Sequence, residues 1–220
     1  MPRSTTETVT VVRGEQEVFR RTAHLFARAS EVTCAANDLA TWGWSNGPED
    51  LPGGPDPRQS GARVRKLYRS GILFDPAWAQ RLEVVRTHPN VQVRVTTDEL
   101  NETLIIDGRL VILAGDKSAG EHTYSLITQR DAVQGVTSLF EAAWRSATDL
   151  EVFDAQIAEI RALAPRVLDL LRQGVKDEAA ARTLGLGVRT YRRRVAELMA
   201  ALGADSRFQA GVRARELGLV

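Results

Sequence analysis

Hydrophobic positions in this 220-residue chain follow two different periods, and the change falls near residue 150. Before it, short apolar or alternating runs bounded by turn residues are separated by helical stretches. "TVTVV" (8–12) predicts a strand. The segment from about Gly14 to Arg28 predicts a helix with Val18, Phe19, Thr22, Leu25 and Phe26 at helical spacing. "EVTCAA" (31–36), "ARVRKLY" (62–68) and "NVQVRVT" (90–96) read as further strands, and "DPAWAQRLEVVRTH" (75–88) as a helix capped by Asp75 with Pro76 at its first position. In "TLIIDGRLVIL" (103–113), Asp107-Gly108 between two apolar runs is the dipeptide of a type I′ hairpin turn, whose two central residues need positive φ. "HTYSLIT" (122–128) predicts a last strand. "RDAVQGVTSLFEAAWRSA" (130–147) predicts a closing helix with Val133, Val136, Leu139, Phe140 and Trp144 on one stripe. Residues 1–150 thus read as one α/β domain, a mixed sheet flanked by helices.

From Val152 the period is 3.6 to the end. "FDAQIAEIRALAPRVLDLLRQG" carries Ile157, Ile160, Leu163, Val167, Leu168 and Leu171, with Pro165 expected to begin or kink a helix that stops at Gly174. Helices are then predicted over 177–184, 188–202 and 206–217, making residues 156–220 an all-α unit of four helices. One segment of the first domain fits neither period: "NGPEDLPGGPDPRQSG" (46–61) is dense in Pro and Gly and predicts a long irregular loop. Trp42, Trp44, Tyr68 and Trp78 flank this loop or its neighbouring elements, where aromatic side chains either line a pocket or cover the sheet.

Charge divides the chain at the same place. Residues 156–220 hold 12 Lys and Arg against 7 Asp and Glu, and residues 1–155 hold 17 against 21, although the whole chain is only +1. A basic helical unit joined to a mildly acidic domain points to a polyanion as partner of the former alone. Arginine outnumbers lysine 26 to 3 throughout, so richness in arginine carries little meaning by itself. The single cysteine, Cys34, excludes an intrachain disulfide and suits a reducing compartment. The opening "MPRSTTETVT" lacks the apolar stretch of a signal peptide, and no window of about 18 apolar residues predicts a membrane span. A cytoplasmic protein without membrane contact is expected.

The charge of the tail is concentrated on its third helix. Only "GLG" (185–187) separates this helix from the one before it, and so short a turn is that of a helix-turn-helix. Tyr191, Val195, Leu198 and Leu202 recur at i, i+4, i+7 and i+11 and must face the core. At 100° per residue, Arg189, Arg193 and Ala196 then point most directly outward, with Thr190, Arg192 and Glu197 beside them and Arg194 nearer the seam. The cations occupy the first two turns, the end by which recognition helices enter a major groove. Arg189, Arg192, Arg193 and Arg194 have almost no acidic neighbours within a turn, so their mutual repulsion is expected to go uncompensated unless phosphates supply the counter-charge.

The stretch "LLRQGVKDEAAARTLGLGVRTYRRRVAELMAALGADSRFQAGVRA" resembles the LuxR-type (GerE-type) helix-turn-helix of bacterial transcription regulators, matching its pattern at Gly174, Ala180-Ala181, Leu184, Thr190, Val195, Leu202-Gly203, Ser206-Arg207 and Ala210. It departs from the pattern with Gly187 where a capping Ser is usual, Tyr191 for Val and Arg194 for His. The resemblance implies base-edge contacts by Arg192, Arg193 and Ala196 and backbone contacts by Thr190 and Arg194. With Arg189 and Lys176 these form the expected DNA-contacting set. For Arg182, Arg207 and Arg213, solvation and phosphate contact remain equally open. The resemblance also implies that the fourth helix often forms a dimer surface, although its Phe208, Val212 and Leu217 suit a core equally well.

In the first domain, "DELNETLIIDGRLVILAGDKS" is similar to a half-site of the phospholipase D superfamily, whose signature places His and Lys ahead of an Asp and a hairpin. With that Asp at Asp107, Leu100 stands at the His position and Glu102 at the Lys position. Neither replaces an imidazole nucleophile or a phosphate-holding ammonium. His24, His88 and His122 lie elsewhere without a Lys two positions on, and no Cys/His cluster or Gly-rich cradle indicates zinc, another metal or a nucleotide. The resemblance therefore implies a catalytically degenerate sensor or dimerisation domain of the TrmB type. The function expected is a DNA-binding transcriptional regulator, not an enzyme and without a cofactor, reading double-stranded DNA as a homodimer with a possible small-molecule or protein effector. Two alternatives stand beside it: a phosphodiesterase or nuclease with a DNA-targeting tail, and an adaptor that binds another protein through 1–150.

Overall fold

The computed structural model describes residues 8–37, 61–75, 78, 87–118 and 121–220, with side chains omitted at 116–118 and 121. The chain divides into two compact units. One comprises Met1–Tyr68, Glu83–Arg94 and Leu100–Ala147; the other gathers Arg69–Leu82 and Val95–Glu99 with Thr148–Val220.

In chain order the elements are β1 (Val9–Arg13), α1 (Glu15–Phe26), β2 (Glu31–Ala36), β3 (Arg63–Arg69), a 3-10 turn (Ser70–Phe74), β4 (Val91–Thr96), β5 (Thr103–Ile106), β6 (Leu110–Ser118), β7 (Glu121–Ile127), α2 (Arg130–Ser146), β8 (Thr148–Asp149), α3 (Leu150–Arg172), α4 (Asp177–Leu184), α5 (Val188–Ala201) and α6 (Arg207–Glu216). The strands form one mixed sheet in the order β1-β7-β6-β5-β2-β3-β4-β8. β2 runs parallel to β3 and antiparallel to β5, and β5, β6, β7 and β1 continue antiparallel. The α/β class expected for the first domain and the all-helical end of the chain are both present.

The β5–β6 hairpin turns where expected: Asp107 has φ 49° and Gly108 φ 60°. The Asp107 carboxylate also accepts from the backbone N–H groups of Ser30 and Glu31 at 2.8 Å each, so it ties the hairpin to the start of β2. Against the sheet, α2 buries Val133, Phe140 and Trp144 onto Ala35, Leu67, Ile105, Val111 and Ile127. Arg65 lies in this layer. It is only 8% exposed, paired with Glu141 at 2.5 Å and Glu31 at 3.1 Å, with its guanidinium over the rings of Phe140 and Trp144.

Two details of the helices depart from expectation. Leu139 is exposed rather than on the buried stripe of α2, because six residues from Val133 at 100° each place it about 120° away, whereas Phe140 and Trp144 return to within about 20°. Of the two roles expected for Pro165, it does not begin α3: the helix runs through it, 23 residues from Leu150 to Arg172. Proline removes one N–H and disturbs one turn, and the buried Ile160, Ala164, Val167 and Leu168 hold both sides of that turn in the core. Within the helical unit the core is built from Ile157, Ile160, Val167 and Leu168 of α3, Ala180 and Ala181 of α4, Tyr191, Val195 and Leu198 of α5 with the adjoining Leu202, and Ala210 and Ala214 of α6. Of the three apolar residues at the last helix, Phe208 and Val212 are exposed and Leu217 is half-buried, so Phe208 and Val212 are not core residues of this chain. Leu25, at the last turn of α1, is likewise exposed. Among the described residues no helix is long and apolar enough to cross a membrane. Trp42, Trp44, residues 46–60 of the expected loop and most of the helix expected over 75–88 lie outside the described residues, while Tyr68 and Trp78 are buried.

Candidate nucleic-acid interface

Short-range signals position α4 and α5. Gly174 (φ 68°) closes α3, with the Val175 N–H donating to the Leu170 carbonyl at 3.1 Å. Gly185 (φ 69°) closes α4 in the same manner, the Leu186 N–H reaching the Ala181 carbonyl at 2.8 Å. Gly187 then stands at the N-cap of α5 without a side-chain cap, which costs a few tenths of a kcal/mol relative to Ser. Ser206 caps α6 by accepting from the Gln209 N–H at 3.1 Å, while the Gln209 side chain reaches back past the cap to accept from the Asp205 N–H at 2.7 Å.

The face assignment of α5 holds residue by residue. Tyr191, Val195 and Leu198, with Leu202 beyond the helix end, are fully buried. Arg189, Arg192, Arg193 and Ala196 are exposed, and Thr190 and Arg194 are half-buried at the seam. Lys176 is exposed at the N-cap of α4. Tyr191, unexpected in a position where the resemblance implied Val, fits as a core residue, and burial raises its hydroxyl pKa.

The expectation of uncompensated arginines is overturned. Arg192 donates from Nε to Asp177 Oδ2 at 2.8 Å, and its Nη2 lies 3.6 Å from Glu178. Arg193 lies 3.5 Å from Glu197. Arg194, 20% exposed, is held by Glu159 and, at 2.8 Å, by Glu197, which raises its pKa. The physical reason is tertiary: apart from Glu197, these carboxylates belong to α3 and α4, so a scan of α5 for neighbouring charge does not find them. Among the described residues Arg189 and Lys176 have no ion-pair partner. The three cations left open also separate: Arg207 pairs with Asp177, Arg213 with Glu216 and Glu99, and Arg182 is exposed.

Asp177 is the residue that sequence reasoning missed. It sits in the first turn of α4, where an acidic side chain favours the helix dipole, and its partners are 15 and 30 residues away. Hydrogen bonds first from Arg207 and then from Arg192 hold its carboxyl below the usual carboxylate range.

In the sheet unit, the positions aligned with the phospholipase D signature do not form a catalytic set. Leu100 packs against the α2 core cluster, Glu102 is half-buried beneath the Asn37 N–H, and Asp107 is engaged by backbone. The His88 ring meets Thr87 at 3.1 Å and that of His122 meets the Gly115 carbonyl at 3.1 Å, while His24 lies exposed on α1. Among the described residues no group of three or more His, Cys, Asp or Glu is arranged to hold a metal ion. Burial pushes the Cys34 thiol up to about 12, leaving it protonated and unreactive at neutral pH.

No family model matches the chain. It is 27% identical over 161 residues to the bialaphos biosynthetic pathway regulatory protein of Streptomyces hygroscopicus, an overlap that takes in 73% of this chain and only 62% of that protein's length. Among solved structures it is similar to TrmBL2, an archaeal chromatin protein, with 19% identity, 68% of this chain and 56% of that one covered, and a TM-score of 0.49. It is also similar to the phospholipase D family member Nuc from Salmonella typhimurium, with 12% identity, 64% and 97% coverage, and a TM-score of 0.48.

Proposed function

We propose that this chain is a transcription regulator that reads double-stranded DNA through α5, in the manner of the LuxR-type helix-turn-helix. The observation that carries the reading is the face of α5: Arg189, Arg192, Arg193 and Ala196 stand exposed along its first two and a half turns while Tyr191, Val195 and Leu198 anchor the opposite side. A helix so fixed enters a major groove N-terminus first. Arg192 and Arg193 then reach base edges, each discriminating by about 1–3 kcal/mol, and Ala196 packs beside them. Arg189, Thr190 and Lys176 contact phosphates. Arg194 joins them only by releasing Glu159. The similarity to a regulatory protein of Streptomyces supports the same class.

On this reading the protein acts as a homodimer on a two-fold-related site, because one recognition helix covers too few base pairs for adequate specificity. The sheet unit serves as platform or effector sensor and hydrolyses nothing, Leu100 and Glu102 standing where a phosphodiesterase of the resembling superfamily needs His and Lys. Selection of duplexes from a random pool by the full chain tests the proposal. A guanine-containing motif repeated with two-fold symmetry is expected; failure to enrich any motif, or turnover of a generic phosphodiester, overturns it.

A further inference from the structure

The carboxylate of Asp177 meets two arginines at once. Its Oδ2 accepts from Arg192 Nε at 2.8 Å, while Arg207 approaches as a fork, Nη1 at 2.9 Å from Oδ1 and Nη2 at 3.2 Å from Oδ2. The side chain of Asp177 is recessed, 14% exposed, whereas that of Arg192 is 59% exposed. The contact therefore grips Arg192 from its inner edge and leaves the outer edge of the guanidinium toward solvent.

An arginine reads guanine O6 and N7 with two parallel N–H groups. It presents either Nε with one Nη or the two terminal Nη groups. With Nε already donating to Asp177, only the Nη pair remains for a base, in a plane set by the carboxylate. Glu178, 3.6 Å from Nη2, is beyond hydrogen-bonding distance and leaves that nitrogen available. A long side chain fixed before it meets its partner loses less rotamer freedom on binding. The charge is also preserved, since Arg207 balances the carboxylate and the three groups together remain +1.

We infer that Asp177 is a positioning residue for base readout: it holds Arg192 by Nε so that the terminal Nη pair is preset for one guanine edge. This rests on the DNA-reading role of α5 proposed above.

The test uses the full chain and duplexes selected from a random pool. Each selected guanine is replaced in turn, and the affinity of wild type, Arg192→Ala, Asp177→Asn, Asp177→Ala and the double variant Asp177→Ala/Arg192→Ala is measured on selected and scrambled duplexes. One guanine is expected whose replacement costs wild type on the order of tenfold or more, and Arg192→Ala abolishes that discrimination. Asp177→Ala cuts it several-fold and leaves scrambled DNA bound within about twofold, the usual reach of a change that touches no phosphate contact. The double variant is no worse than Arg192→Ala, and Asp177→Asn, which keeps an oxygen acceptor, retains most of the discrimination.

Equal tightening on both duplexes in Asp177→Ala overturns the inference, since the carboxylate then merely repels phosphate. Independent, multiplying losses overturn it as well. Because Asp177→Ala also frees Arg207, Arg207→Gln serves as the folding control: it is expected to lower Tm comparably while keeping guanine discrimination, and loss of that discrimination in Arg207→Gln contradicts a role specific to Arg192. If Arg192→Ala itself changes no discrimination, the reading of α5 fails and takes this inference with it. An effective Arg192→Ala beside a silent Asp177→Ala removes the positioning role alone.

Discussion

Arg65 in the sheet unit and Arg192 in the helical unit each face two carboxylates, but the pairs are built inside out. At Arg65 the arginine is buried, 8% exposed, and its partners Glu31 and Glu141 reach solvent. At Arg192 the main carboxylate, Asp177, is recessed and the arginine extends outward. A guanidinium so buried presents little surface to an outside ligand, and its stacking on Phe140 and Trp144 commits it to the fold. An exposed guanidinium held at its inner edge keeps donors facing away from the protein. Ion pairing alone does not decide whether an arginine stabilises or recognises; the buried partner does.

Removing the buried arginine is the largest perturbation. Arg65→Ala strands two carboxylates and deletes the stem that packs on α2, and should cost about 2–3 kcal/mol, read as a fall in Tm of roughly 5–10 °C. DNA binding by the molecules that remain folded should be unchanged; a selective loss of DNA affinity would erase the contrast between the two arginines.

Salt dependence sharpens the contrast within α5. Arg189 and Lys176, free of ion pairs among the described residues, should each lower the slope of log K against log salt by about 1 when replaced by Ala. Arg194→Ala should lower it by less, because Glu159 and Glu197 already occupy that guanidinium. Equal slopes for all three variants would mean that the carboxylates let go whenever DNA arrives.

Acid should act on both regions in the same direction. The carboxyls of Glu141 and Asp177 lie below their ordinary values, chiefly through hydrogen bonds from Arg65 and Arg207 respectively, and Glu17 is drawn down to about 2 by Arg20 and Arg21. A lowered folded-state pKa means that the unfolded chain binds more protons in the interval between the two values. The resulting stabilisation is complete above about pH 4–5 and is lost as pH falls through the folded-state values. Chemical denaturation from pH 2 to 6 should show stability rising and then levelling, and Asp177→Asn should flatten the part of the slope below pH 4. The smallest effect is at the α5 N-cap, where Gly187→Ser should add a few tenths of a kcal/mol without altering DNA preference.

Local chemistry made much of this fold readable in advance. The Asp107-Gly108 turn, the glycines at 174 and 185, and the Tyr191, Val195, Leu198 spacing each depend on residues within a few positions of one another, and each element formed where its pattern placed it. Leu139 falls outside the buried stripe because the helix geometry allows a narrower stripe than the run of apolar residues suggests. Pro165 does not begin α3 because a proline penalty of about 3 kcal/mol is opposed by the core residues buried on both sides of it. The partners of the α5 arginines are illegible in the sequence for a different reason. Asp177 and Glu159 lie 15 and 35 residues from the arginines they hold, and no periodicity links them. Outward direction along α5 follows from a helical wheel; occupancy of each guanidinium follows only from the packing of α3, α4 and α6.

On the proposed reading, the leading half of α5 reads base edges. The most direct measurement is the ratio of affinities for a pool-selected duplex and a scrambled one, in wild type and in an Arg192→Ala/Arg193→Ala variant whose Tm matches wild type. The ratio is expected to fall by about 10- to 100-fold or more while scrambled-duplex affinity weakens only modestly. A ratio unchanged by the double substitution would contradict it.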